Sequence, residues 1–146
     1  MKEKVSCVID FGQSHLKFNL ITGKYILART LIKKNNFKIS VNNSFFYNSI
    51  KIEKIIKSSI IELSKTYNIT SVAPIAHGSG CFFIDNKGKI KNGFHFSSNM
   101  TDKAIIKSYY KSIPRFNETF TPHYKQFHNL GKNIFFTCKK KEELEL

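Results

Sequence analysis

Residues 8–17 read VIDFGQSHLK. An apolar run ends on the carboxylate of Asp10, Gly12 follows, and then come the amide of Gln13, the hydroxyl of Ser14, the imidazole of His15 and the ammonium of Lys17. Two short strands joined by a turn of small residues present backbone N–H groups and a hydroxyl to an anion, and a carboxylate at such a tip can hold a hydrated divalent cation. A second polar pair, His77-Gly78, ends another apolar stretch. The other two of the three aspartates have local work: Asp85 lies in the turn sequence Asp85-Asn86-Lys87-Gly88, and Asp102 precedes a helical run whose dipole it complements.

The elements that must position these groups show in the periodicity. From Val5 to Phe11, Val5, Cys7, Ile9 and Phe11 alternate with Ser6, Val8 and Asp10, the period-2 pattern of a strand that points Asp10 away from the Ile9 side. Beyond Gly12-Gln13-Ser14, Leu16, Phe18 and Leu20 alternate with His15, Lys17 and Asn19, which predicts an antiparallel return strand. Thr22-Gly23-Lys24 makes another turn into a third strand from Tyr25 to Leu31. A polar stretch, KKNNFKISVNNSFFYNS, then separates this meander from an amphipathic helix over Ile52 to Tyr67, with Ile52, Ile55, Ile56, Ile60, Leu63 and Tyr67 on one face and Lys51, Lys54, Lys57, Ser58 and Glu62 on the other. Next come an apolar strand into His77, a Gly-Ser-Gly break and a strand through Ile84. A helix is predicted from Thr101-Asp102 to about Ser112, stopped by Pro114. Another is predicted from an Asn129 cap through Phe136 into the tail KKKEELEL.

Composition bounds the classes. A chain of 146 residues with 41% hydrophobic content suits one domain with a real core. The net charge of +14 invites an anionic partner, but the lysines are scattered through every segment and form no stripe, so no dedicated nucleic-acid surface is read. The three cysteines, Cys7, Cys81 and Cys138, are widely spaced and include no Cys-x-x-Cys pair, which argues against a disulfide framework or a zinc site and fits a reducing cytoplasm. The apolar run near the amino terminus is too short for a signal peptide, and no stretch reaches the roughly 18 to 20 apolar residues of a membrane span. Neither the Walker-type phosphate loop nor the protein-kinase glycine loop is present.

The pattern Asp-x-Gly-x-(Ser/Thr)-x-x-Lys on the first hairpin, present as Asp10, Gly12, Ser14 and Lys17, resembles the first phosphate motif of the sugar kinase, heat-shock ATPase and actin superfamily. The helix, the strand into His77-Gly78 and the run FFIDNKGKI are together similar to the amino-terminal domain of the FGGY carbohydrate kinases. Pro114-Arg115-Phe116, Glu118-Thr119 and Asn129-Leu130-Gly131 resemble the branch with rhamnulokinase-like and fuculokinase-like proteins. The resemblance covers nearly all of residues 5–140. It implies an α/β fold: an actin-like (ribonuclease H-like) ATPase domain with a mixed sheet begun by an antiparallel three-strand meander and flanked by helices. It implies ATP and Mg²⁺ as cofactors and a sugar as substrate. Asp10 would assist the metal, Gly12 would allow close backbone approach to phosphate, Gln13 and Ser14 would donate hydrogen bonds, and Lys17 would offset negative charge or support the hairpin. His77 would bond a sugar hydroxyl, and Gly78 would leave room for the ring. The residues alone also allow Asp10 as a solvated strand end, Lys17 as an exposed strand lysine, His15 as a surface ring and His77 as a packed strand-end histidine.

Phosphoryl transfer to a sugar hydroxyl needs in-line positioning, Mg²⁺ and a carboxylate that accepts the hydroxyl proton. With Asp10, Asp85 and Asp102 assigned, no catalytic aspartate remains. In complete family members that aspartate and a second, adenosine-binding domain lie further along chains roughly three times longer, consistent with two domains of ordinary size. Residues 1–146 are therefore expected to form a single, incomplete amino-terminal sugar-kinase domain, with a second chain supplying the carboxy-terminal domain as a partner. Two segments depart from the family pattern: GFHFSSN, with His95 and Phe96 where an acidic or aromatic-polar sugar contact is expected, and Lys125-Gln126-Phe127-His128 in place of a glycine-rich stretch. The alternatives are a non-catalytic interaction domain or split-kinase half that retains the fold, and a basic nucleic-acid binder supported by the Lys-rich helix face and 14% aromatic content.

Overall fold

The computed structural model describes residues 1–41, 44–78, 80–94, 102–119 and 130–139. The expectations at Ser79, His95, Phe96, Thr101, residues 125–128, Asn129 and the tail from residue 140 lie outside them. The chain divides into two compact units, Met1–Phe37 with Ile50–His77 and Lys38–Ser49 with Gly78–Leu146.

In the first unit, β1 (Lys4–Phe11), β2 (His15–Thr22) and β3 (Leu27–Lys34) form the expected antiparallel meander, with the third strand shifted from the expected Tyr25–Leu31 because Tyr25 takes φ 59° in the turn and pairing with β2 continues to Lys34. A long connection then leads through α1 (Ser49–Ser64) to β6 (Asn68–Ala76), which pairs with β1 in parallel, so the sheet order is β3-β2-β1-β6. A parallel pair cannot be closed by a tight turn, and the helix-bearing crossover supplies the needed length. One face of the sheet carries the core: Val5, Cys7 and Ile9 of β1 and Leu16, Phe18 and Leu20 of β2 are buried, as is Phe37. Helix α1 buries Ile52, Ser59 and Leu63, a stripe at helical spacing, while Lys51, Lys54, Lys57, Ser58 and Glu62 remain exposed. The Lys33 ammonium meets the Glu62 carboxylate at 3.1 Å and ties α1 to β3.

The second unit contains β4 (Lys38–Val41), β5 (Ser44–Tyr47), β7 (Cys81–Ile84) and β8 (Ile90–Phe94), paired antiparallel in the order β4-β5-β8-β7. Strands β4 and β5 correct the expectation of a polar separator over that stretch. Their register, Ile39 against Phe46, is a hairpin ladder that the surrounding Lys, Asn and Ser residues mask in sequence. The β7–β8 turn forms as expected: Asp85 Oδ1 accepts from the Lys87 and Lys89 N–H groups at 3.0 and 2.8 Å, and Gly88 takes φ +75°. Helices α2 (Lys103–Ser112), α3 (Phe116–Thr119) and α4 (Leu130–Lys139) complete the unit. Asp102 caps α2 by accepting from the Ala104 and Ile105 N–H groups. Buried Tyr109 of α2 meets Phe135 of α4 edge to face, with ring centroids 5.5 Å apart. Among the described residues no helix is long and apolar enough to cross a membrane.

Candidate functional site

The β1–β2 register places Asp10 opposite Lys17 and Phe11 opposite Leu16, leaving Gly12–His15 as the turn. The Gly12 N–H donates to the His15 carbonyl at 2.9 Å and closes it. A Cβ on residue 12 would stand 3.0 Å from that carbonyl oxygen, so the turn is built for glycine. Gln13 and Ser14 are exposed at the tip, and their backbone N–H groups have no hydrogen-bond partner among the described residues. Two successive backbone amides open to solvent, together with the Ser14 hydroxyl, are hydrogen-bond donors available to an anion such as a phosphate oxygen.

Asp10 sits where β1 ends, with its side chain 36% exposed, and the Lys17 ammonium stands 3.7 Å from its Oδ2. The structure thus unites Asp10, Gly12, Gln13, Ser14 and Lys17 on one hairpin, with Lys17 engaged across the strands. A single accessible carboxylate fits Mg²⁺ carried on phosphate, which takes one or two protein carboxylates and keeps its waters. It does not make an all-protein metal cage, and among the described residues no group of three or more His, Cys, Asp or Glu could hold a metal ion. His15 is exposed at the start of β2.

The carboxyl ends of parallel β1 and β6 lie side by side, the usual place for a ligand in such sheets. His77 follows β6 there. Its N–H donates to the Phe11 carbonyl at 3.4 Å, and its ring lies 6.1 Å from the Phe11 ring, which in turn lies 6.2 Å from buried Phe37. His77 is therefore a packed strand-end residue that stays half-buried. Gly78 begins the next segment of the second unit, where a Cβ would meet no atom within 4 Å. A cleft of about 410 Å³ opens at the opposite end of β1 and β6, lined by Met1, Lys2, Ser64, Tyr67, Asn68 and Ile69. Lys2 is already held there by the Ser64 carbonyl at 2.6 Å.

One residue absent from the sequence reading bears directly on the tip. Asn35, just past β3, donates from Nδ2 to the Gly12 carbonyl at 2.6 Å and from its backbone N–H to the Ser14 carbonyl at 2.8 Å. No signal in the sequence marks it: the expected third strand stops at Leu31, and Asn35 comes beside the turn only because β3 runs on to Lys34, opposite His15.

No protein-family model matches the chain. Among solved structures, the chain is similar to a carbohydrate kinase from Novosphingobium aromaticivorans, with a TM-score of 0.82 at 14% identity, covering 98% of this chain and 30% of that one. It is also similar to glycerol kinase from Plasmodium falciparum with ADP, with a TM-score of 0.66 at 12% identity over 99% of this chain and 30% of that one. A ligand-bound xylulose kinase from Lactobacillus acidophilus gives 0.57 at 10% identity, over 76% of this chain and 23% of that one. The chain thus spans less than a third of the length of these enzymes. The mixed parallel and antiparallel sheet with its helices has the α/β architecture of sugar kinases, the actin-like (ribonuclease H-like) ATPase fold.

Proposed function

We propose that this chain is the amino-terminal, sugar-side part of an FGGY-type carbohydrate kinase, whose reaction is ATP-dependent phosphoryl transfer to a sugar hydroxyl. The observation that carries this reading is the first hairpin tip: two open amide donors at Gln13 and Ser14 beside the accessible carboxylate of Asp10. In the proposal the Gln13 and Ser14 N–H groups and the Ser14 hydroxyl bind the terminal phosphates of ATP. Asp10 would hold the Mg²⁺ bound to those phosphates, and Lys17, paired with it at 3.7 Å, balances its charge. The bound metal supplies charge neutralisation on the transferring phosphoryl group. In the same proposal His77, whose ring packs against Phe11, would bond a sugar hydroxyl, and Gly78 would leave room for the sugar ring. The finer assignment, to the rhamnulokinase-like and fuculokinase-like branch, rests on Pro114-Arg115-Phe116, Glu118-Thr119 and Asn129-Leu130-Gly131.

The proposal includes a partner, a second chain supplying the carboxy-terminal, adenosine-side domain and the catalytic aspartate. Its support is the outer edge of the first sheet. Among the described residues β6 ends the strand order, its nine residues NITSVAPIA carry no charge, and Val72 and Ile75 are 48% and 56% exposed. Val72 aligns with Cys7 and Ile75 with Asp10, so the two lie on opposite faces of the sheet. Apolar Val72 and Ile75 on the two faces read as a strand interior to a parallel sheet, and the uncharged edge can pair with another strand except at Pro74, which has no N–H to donate. A cytoplasmic location belongs to the same proposal, supported by three widely spaced cysteines with no Cys-x-x-Cys pair.

A coupled assay of ADP release across a sugar panel that includes rhamnulose and fuculose tests it. The 146-residue chain alone is expected to bind Mg·ATP weakly and turn over poorly. Robust turnover overturns the need for a partner, and absence of nucleotide binding at millimolar Mg·ATP overturns the kinase reading.

A further inference from the structure

We infer that Asn35 is a positioning residue for the phosphate-facing turn, fixing the direction in which the Gln13 and Ser14 amides point. The inference rests on the nucleotide role proposed for the hairpin and adds a residue outside the phosphate motif. Asn35 takes hold of the turn at two carbonyls, Gly12 through its side-chain Nδ2 and Ser14 through its backbone N–H. Peptides are planar, and no cis bond occurs among the described residues, so the N–H that follows a pinned carbonyl points the opposite way. Drawing the Gly12 carbonyl toward Asn35 therefore turns the Gln13 N–H away from Asn35. Holding the Ser14 carbonyl does the same to the His15 N–H and fixes the far side of the turn. The Gln13–Ser14 peptide, which carries the Ser14 N–H, lies between these two held peptides, and this narrows the orientations that N–H can take.

The hairpin's own bond does not enforce this. The Gly12 N–H to His15 carbonyl bond closes the ring of the turn, but it leaves the Gly12–Gln13 peptide free to rotate between its neighbours, and glycine tolerates both orientations. A peptide that flips would aim the Gly12 carbonyl oxygen where an anion should sit. The Asn35 side chain is the group that opposes this flip. Its amide is part-buried, so solvent competes less well for the bond, and a donor set fixed in advance loses less freedom on binding phosphate. Asn35 is thus expected to act on affinity through the turn without touching the ligand.

The experiment uses the full 146-residue chain, ¹⁵N-labelled, as wild type, Asn35→Ala and the isosteric Asn35→Asp, which keeps the shape and loses the donor. Ser71→Ala serves as a control that deletes a hydrogen bond of 2.8 Å to Ser6 away from the tip. Backbone ¹⁵N relaxation of Gln13 and Ser14 is measured first, and then each protein is titrated with Mg·ADP. Both Asn35 variants are expected to show increased motion at Gln13 and Ser14 and an apparent Kd raised about tenfold. Ser71→Ala is expected to match wild type in both. Unchanged relaxation at Gln13 and Ser14 in both Asn35 variants overturns the inference, whatever the nucleotide does. Increased motion with unaltered Kd also overturns it. Increased motion in the variants, when wild type itself fails to bind Mg·ADP, supports Asn35 as the anchor of the turn and instead removes the nucleotide reading of the hairpin.

Discussion

Replacing Asp10 by asparagine separates a metal-steering carboxylate from a structural one. The Asp10 carboxylate and the Lys17 ammonium stand 3.7 Å apart with side chains 36% and 47% exposed. At that separation two unit charges attract by about 1 kcal/mol in water, and exposed pairs of this kind yield a net of roughly 0–1 kcal/mol once side-chain ordering is counted. Asp10→Asn keeps the size of the side chain, so the stability change is expected to stay below about 1 kcal/mol, a shift of a few degrees in Tm. The nucleotide effect is expected to be larger. A hydrogen bond to a charged acceptor contributes about 1.5–3 kcal/mol, so losing the carboxylate should weaken Mg·ADP binding roughly tenfold to a hundredfold while leaving metal-free ADP binding almost unchanged. The assay is fluorescence titration with a labelled ADP, with Mg²⁺ and with EDTA, alongside thermal melts. An equal loss of affinity with and without Mg²⁺ would refute the metal role. A fall in Tm beyond about 10 °C would instead make Asp10 a structural residue, because nothing in its exposed pair accounts for so large a change.

Phe18 is fully buried opposite Ile9, and Phe18→Ala is expected to cost about 3–5 kcal/mol, seen as a reduced urea midpoint; a loss under about 1 kcal/mol would contradict the placement of the core. A Cβ at Gly93 would run into the Phe82 ring and stand 2.8 Å from the Cys81 carbonyl oxygen, so Gly93→Ala should destabilise the second unit by about 1–3 kcal/mol. Hydrogen exchange should then accelerate in β7 and β8 before it does in β1 and β2. Burial pushes the Cys7 thiol above its ordinary value of 9.0, so its contribution to stability is intact below that pH and is lost as pH rises through the raised folded-state value. The alkaline fall in the urea midpoint should be shallower in Cys7→Ala, and at pH 8 a thiol reagent should modify exposed Cys138 well before Cys7.

What could be read from the sequence was what depends on neighbours along the chain. Strands β1 and β2 followed from strict alternation of Val5, Cys7, Ile9 and of Leu16, Phe18, Leu20, because one buried face forces a period of two. Helix α1 shows its stripe in the sequence, but its ends differ from the spacing's 52–67: it runs Ser49–Ser64, since exposed Ile50 adds no buried position to mark the start and the Tyr67 N–H closes the helix end by bonding the Leu63 carbonyl. The short strands β4, β5 and β8 were not legible. In four or five residues, set among Lys, Ser, Asn and Gly, the pattern is too brief to outweigh turn-forming composition, and only cross-strand partners such as Phe46 and Phe94 create the ladder. The site divides the same way. The motif positions Asp10 to Lys17 lie within one hairpin and could be named from order alone, whereas Asn35 acts on Gly12 across 23 positions and becomes visible only once the register of β3 is known.

The most direct measurement is paramagnetic broadening of backbone amides on titration of the ¹⁵N-labelled chain with Mn·ADP, Mn²⁺ standing in for Mg²⁺. Phe11, Gly12, Gln13 and Ser14 are expected to broaden first and most, and Asp10→Asn to remove the effect. Broadening concentrated at residues of the second unit, or spread evenly over the lysine-rich surface, would contradict the nucleotide role of the hairpin.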